Sequence, residues 1–303
     1  MFHHFHGLGH GVSQGSIASD EFDAIIRHVD RHRIRDPRDW CRKVESDELE
    51  PGDLCITFDD GLRCQYDIAL PVLRRHGLRA FWFAYTSVLS GEGGRLEIYR
   101  HFRHACFDSV DAYYRAFFEM VASGPYGALV RDRLNGFDPD SYVPHYTLYT
   151  RTDRTFRFVR DQVLGADRYY EIMDAMIAAS DLDVPTVMAN LWLTDAQIRE
   201  LHADGHIIGL HSHTHPTRLG ELTPNGQRGE YERNSREIAR LTGEAPKSVS
   251  HPCGHYTDVT LSILKDMGVT VGFRDNLNLP AGHGPLEYPR EDHGVIIREL
   301  ITR

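Results

Sequence analysis

Seven short apolar runs, rich in β-branched and aromatic residues, punctuate this chain, and most hand over to a helical pattern through a joint marked by glycine. The runs cover residues 1–5, 54–58, 80–85, 206–210, 248–251, 269–273 and 295–301. Ser19 and Asp20 offer caps for a helix over 21–33, a helix over 65–76 stops at Gly77, and Thr194 caps one over 195–203 that stops at Gly205. Thr223 and Pro224 open a helix over 225–241 that ends at Gly243, and a helix over 257–267 ends at Gly268. Proline suits the first helical turn, where its missing N–H has no intrahelical partner, and glycine suits the left-handed residue after the last turn. Strands connected through helices pair in parallel, so the alternation predicts βαβ units in an α/β fold.

Residues 90–190 break that rhythm. They are rich in aromatic residues and arginine, with helical periodicity over 109–122 and 168–180 and no clear period over 138–153. The expectation is one domain spanning 1–303 that carries a mainly helical insertion at 90–190, with the glycine-rich Gly91-Glu92-Gly93-Gly94 as a hinge. A length of 303 residues accommodates this.

Composition removes several function classes. The 34 basic and 44 acidic side chains leave a net charge of −10. That balance opposes sequence-independent nucleic-acid binding and polybasic membrane docking, both of which run on Lys and Arg. No apolar stretch is long enough for a membrane span. Five cysteines, an odd number without C-x-x-C spacing, fit a reducing compartment better than a disulfide framework or a zinc ribbon. The opening residues have neither a basic start nor an apolar run of signal-peptide length. A soluble cytoplasmic protein is expected.

Nineteen histidines are an excess, and histidine is both the commonest metal ligand and the usual proton shuttle near neutral pH. Two motifs concentrate the chemistry. In Ile56-Thr57-Phe58-Asp59-Asp60-Gly61, two carboxylates end an apolar strand, where parallel α/β folds bind ligands. The bland reading is a turn that caps the next helix. In His211-Ser212-His213-Thr214-His215-Pro216, three histidines follow another strand. If the chain curls, His211 and His215 share a face; if it stays extended, all three do. Two histidines and one aspartate make a metal site with positions left for water and substrate, and leave the other aspartate free as a base.

Thr57-Phe58-Asp59-Asp60-Gly61 followed by His211-Ser212-x-x-His215 resembles the polysaccharide deacetylase family (NodB homology, carbohydrate esterase family 4). The resemblance extends through Leu193-Thr194-Asp195 to Pro216 and through the helix after Asp60. It implies a distorted (β/α) barrel, here of about seven parallel strands, and metal-dependent de-N-acetylation. It implies that Asp59 is the general base and that Asp60, His211 and His215 hold one divalent ion, Zn²⁺ by ligand type. Ser212 matches a hydroxyl that hydrogen-bonds within the loop, and His213 falls on a variable position open to substrate. The family's third motif is only partly kept: Ser250-His251-Pro252-Cys253-Gly254 has Ser250 where the family has an Arg that orients the base. Arg290 is the candidate replacement. Cys253 and Gly254 remain candidate substrate contacts, since a backbone N–H survives a side-chain change. The family's last motif, a histidine acting as general acid, has no clean match. His293 is a candidate for that role beside His283, His251 and His255, and the placement of His3 and His4 stays open.

The expected function is hydrolysis of a non-peptide C–N bond: removal of acetate from an acetamido sugar, as an intracellular intermediate of surface polysaccharide or glycolipid assembly. The alternatives are a non-catalytic carbohydrate-binding relative and a small-molecule amidohydrolase on the same metal site. The expected partner is the acetylated sugar alone; the oligomeric state is left open.

Overall fold

Among the described residues, five strands form one sheet in chain order: β1 Thr57–Phe58, β2 Phe81–Ala84, β3 Ile207–Leu210, β4 Ser248–Ser250 and β5 Val271–Phe273. Every neighbouring pair is parallel, with Phe58 beside Trp82, Trp82 beside Ile208, Leu210 beside Val249 and Val249 beside Gly272. The computed structural model describes residues 1–92, 94–144, 149–275, 277 and 284–301.

The sheet is curled. In a flat sheet, β2 and β5 would be about 14 Å apart, three strand spacings. Yet the Phe81 and Phe273 rings lie 5.1 Å apart and the Phe83 and Phe273 rings 5.6 Å. They meet inside the curl, where Trp40 of the helix Pro37–Glu45 packs on them. Side chains alternate along a strand, so Phe58 and Trp82 face outward. Their rings pack at 4.5 Å, and Phe2 joins Phe22 of the helix Ser19–His28 in the same outer layer. The interior is tight at β3: a Cβ on Gly209 would stand 2.4 Å from the Phe83 ring and 2.6 Å from Ser248 Oγ.

The expected seven strands become five among the described residues, with a single-residue parallel bridge at each edge. Phe2 pairs with Phe58, and Tyr288 pairs with Phe273. The edges then meet: the Met1 nitrogen donates to the Glu291 carbonyl (2.8 Å), and the His293 N–H donates to the Met1 carbonyl (3.3 Å). The apolar run at 295–301 is not a strand but part of the helix His293–Ile301. Val295, Ile296, Ile297 and Leu300 fit one helical face as well as a short strand, and composition alone does not separate the two.

The chain divides into two compact units, Met1–Gly94 with Met188–Arg303, and Arg95–Val187. The second is helical among its described residues, with Tyr113, Tyr114, Phe117, Phe156, Tyr169 and Met173 in its own core. No described helix is long and apolar enough to cross a membrane. Gly93 of the expected hinge lies outside the described residues.

Candidate active site

The inward positions of a parallel barrel, followed to the C-terminal ends of its strands, bring Asp59, His211 and Ser250 to one opening. Beyond β1 the chain turns sharply. Asp60 and Gly61 have φ of 72° and 60°, a left-handed conformation that Asp tolerates and glycine adopts freely. The turn aims Asp60 into the same opening as Asp59.

Beyond β3 the chain curls rather than staying extended. Ser212 and His215 both take positive φ, 61° and 54°. The Ser212 hydroxyl accepts the His215 N–H at 3.1 Å, as the motif implied. The curl brings the His211 and His215 rings to 4.8 Å and sends His213 elsewhere. The His213 Nδ1 bonds Thr86 Oγ1 at 3.0 Å, tying the loop to the end of β2.

Asp60 Oδ1 stands 3.3 Å from His211 Nε2 and 3.4 Å from His215 Nε2, and the three ligand atoms lie within 4.8 Å of one another. Two ligands about 2.0–2.2 Å from a tetrahedral ion stand about 3.3–3.6 Å apart. The donor set and the two Asp60–histidine spacings therefore fit a zinc-like ion. His211 Nδ1 meets the Ser250 carbonyl at 2.9 Å. As a donor there, Nδ1 carries the proton, the tautomer in which Nε2 would give its lone pair to a bound ion; without an ion, a protonated Nε2 donates to Asp60. Burial opposes ionisation of Asp60, but its hydrogen bond with His211 and the charges of His215, His3 and His211 hold its carboxyl far below the usual range.

Asp59 is gripped from the other side. Arg290 Nη1 donates to Asp59 Oδ1 (2.7 Å) and Nη2 to Oδ2 (2.8 Å). The Ser250 hydroxyl donates to Oδ2 at 3.0 Å and itself accepts from Arg290 Nη2 at 2.8 Å. Arg290 is held in turn by the Arg274 carbonyl and Thr57 Oγ1. Ser250 thus occupies the family's arginine position while Arg290 reaches the carboxylate from another segment. Burial would raise the Asp59 pKa; Arg290, His211 and His3 override it and keep the group ionised.

Two residues of this constellation were not assigned from sequence. His3 Nε2 lies 3.8 Å from Asp59 Oδ2 and keeps 31 % of its side chain exposed, which puts it at the mouth of the opening. Burial lowers its pKa. Gln65, fully buried, donates to the His3 carbonyl (2.8 Å) and the Asp59 carbonyl (2.6 Å), fastening the first segment to the β1 turn. The parallel bridge at Phe2 predicts this placement, because the residue after Phe2 leaves on the same face as the residue after Phe58.

Other candidates lie elsewhere. His293 Nε2 bonds the Gly15 carbonyl (2.9 Å) and its ring stacks on Phe2 in the outer layer, so it does not meet Asp59. His251 bonds the Leu286 carbonyl and stacks on Tyr256. His255 Nδ1 accepts the Gly220 N–H. His4 stacks beside His3 at 6.3 Å. His283 lies outside the described residues. Cys253 and Gly254 form a tight turn after β4 with φ of 52° and 62°, and the Cys253 side chain is exposed.

Residues 169–272 match the family model for polysaccharide deacetylase. No curated protein sequence matches the chain. Among solved structures, the Streptococcus pyogenes deacetylase PplD in complex with acetate is similar at TM-score 0.57 and 15% identity, over 99% of this chain and 94% of that one. IcaB from Ammonifex degensii is similar at 0.53 and 15% (98% and 93% covered). A de-N-acetylase from Aggregatibacter actinomycetemcomitans is similar at 0.53 and 12% (98% and 97% covered). At these identities the likeness is one of fold. The polysaccharide deacetylase model thus matches residues 169–272, about a third of the chain, and the fold is the one shared by these solved deacetylases.

Proposed function

We propose that this chain removes the acetyl group from an acetamido sugar with the help of one divalent metal ion, zinc by ligand type. The observation that carries the reading is the adjacency of two sub-sites: an Asp60–His211–His215 cluster spaced for an ion, and Asp59 clamped by Arg290 beside it.

Bound there, the ion would supply Lewis acidity toward the acetamide carbonyl and make the attacking water more acidic. Asp59 takes the proton from that water. Each carboxylate oxygen has two acceptor sites. Oδ1 spends only one on Arg290, so Asp59 keeps a lone pair for the water while its plane is locked. His3, on the solvent side of Asp59, delivers a proton to the departing nitrogen. Acetate and a free amine leave. His3 takes here the part expected of His293.

The test is acetate release from acetamido sugars by the parent and by Asp59→Asn. The variant should keep its metal and lose turnover; full activity would reject the base assignment. The small-molecule alternative is separated by a panel of formylated and cyclic amides. The non-catalytic alternative rested on the vacant arginine position and the unclear terminal histidine, and the Arg290 fork on Asp59 speaks against the first.

For the substrate, we propose a nucleotide- or lipid-linked intermediate handled in a reducing compartment. None of the five cysteines is in a disulfide, and Cys106 and Cys253 are exposed, which supports that compartment. Acetate release from soluble linked sugars against polymeric glycans, compared at equal acetamide concentration, decides it.

A further inference from the structure

The loop between the two histidine ligands is tied to the end of β2 through His213 and to the helix Pro224–Thr242 through bonds to its backbone. We propose that Glu230 and Asn234, one turn apart on the helix Pro224–Thr242, are positioning residues that set the affinity of the Asp60–His211–His215 site for its metal. The proposal rests on the metal reading given above.

The backbone of this loop is strained by its own sequence. Two non-glycine residues, Ser212 and His215, sit at positive φ, a costly conformation that persists only where surrounding structure enforces it. The Ser212–His215 bond is local and cannot place the loop against the barrel. Glu230 and Asn234 do. The Glu230 carboxylate accepts the N–H groups of His213 (2.9 Å) and Thr214 (2.7 Å) and the Thr214 hydroxyl (2.9 Å). These are charge-assisted bonds, stronger than neutral ones. The Asn234 carbonyl oxygen accepts the His211 N–H at 2.9 Å, and its amide nitrogen donates to the Ala84 carbonyl (2.9 Å) and Thr86 Oγ1 (3.1 Å). One buried amide therefore locks the end of β3 to the end of β2. Its orientation is dictated by chemistry, since a flipped amide would face an N–H with a donor and a carbonyl with an acceptor.

The same helix supplies an internal control. Gln227, one turn before Glu230 and also buried, bonds the Gly220 and Leu222 carbonyls and Thr260, and none of the ligand loop. Loss of Gln227 should weaken the fold without touching the metal.

The experiment measures zinc dissociation constants by competition with a chromophoric chelator, beside thermal unfolding of the metal-free proteins, for the parent and Glu230→Ala, Glu230→Gln, Asn234→Ala and Gln227→Ala. Partners of this kind are worth about 10–100-fold in metal affinity. Glu230→Ala and Asn234→Ala should weaken zinc binding by that factor. Glu230→Gln, which keeps an acceptor but not the charge, should recover part of the loss. Gln227→Ala should lower the melting temperature at unchanged affinity. Affinities of the Glu230 and Asn234 variants within twofold of the parent would overturn the proposal and leave the metal reading intact. A parent that binds no zinc or other divalent ion would overturn the metal reading, and this proposal with it.

Discussion

Arg290 grips Asp59 through two parallel hydrogen bonds of 2.7 and 2.8 Å, across 231 residues of sequence. Both groups are buried, so each is the other's main compensation for leaving water. Arg290→Lys keeps a charge but loses the fork, and should lower kcat/KM by about 100-fold, in line with the loss of an oriented base. Arg290→Ala leaves a buried carboxylate unpaired and should also destabilise the fold by about 3–5 kcal/mol. Steady-state kinetics and chemical denaturation check the pair; parental kcat/KM in Arg290→Lys would contradict the orienting role.

His3 is assigned as the proton donor from its position 3.8 Å from Asp59. His3→Gln should cut kcat by about 10²–10⁴-fold while zinc stoichiometry stays at the parental value. His293→Gln, in the outer layer against Phe2, should change stability more than kcat. The reverse pattern would return the acid role to the C-terminal segment.

A pH dependence of stability follows from His206. Its Nδ1 accepts the Ala80 N–H (3.1 Å) and the Trp82 indole N–H (3.2 Å). Burial lowers its pKa from 6.5 to about 4. The folded state prefers the neutral ring, so its contribution is complete above the unfolded pKa of 6.5 and is lost as pH falls from there toward 4. The integrated loss is about 3 kcal/mol. Unfolding free energies measured between pH 8 and 4 should show it, and His206→Gln should flatten that part of the curve. An unchanged slope in the variant would reject the assignment.

Gly209 faces the inside of the barrel against Phe83 and Ser248. Gly209→Ala drives a methyl into that contact and should destabilise the protein by about 1–3 kcal/mol, read as a shift in the denaturation midpoint at constant slope. A midpoint equal to the parent's would mean the interior is looser than described.

The parts of this molecule that sequence discloses are those where local chemistry and position coincide. Asp59-Asp60-Gly61 and His211-Ser212-x-x-His215 each sit at a strand end with their turn residues in place, so their meeting needs only the parallel topology. Arg290 became a candidate through the vacancy at Ser250, and the structure sets its guanidinium on Asp59. His3 was left open because its nearness to Asp59 depends on one backbone bridge, Phe2 to Phe58, which leaves no periodic signal. His293 misled because histidine near the chain end fits the family's order, while here it stacks outside the barrel. Glu230 and Asn234 act through backbone N–H groups, and nothing in a helical pattern marks which carboxylate will face a loop.

The central claim is that catalysis runs through the Asp60–His211–His215 site. The direct test is acetate release from an acetamido sugar by protein stripped with chelator, then reloaded with one equivalent of zinc, with His211→Ala treated in parallel. The account predicts loss of turnover on stripping, recovery on reloading, and no recovery in His211→Ala. Full turnover by the stripped protein in the continued presence of chelator would contradict it.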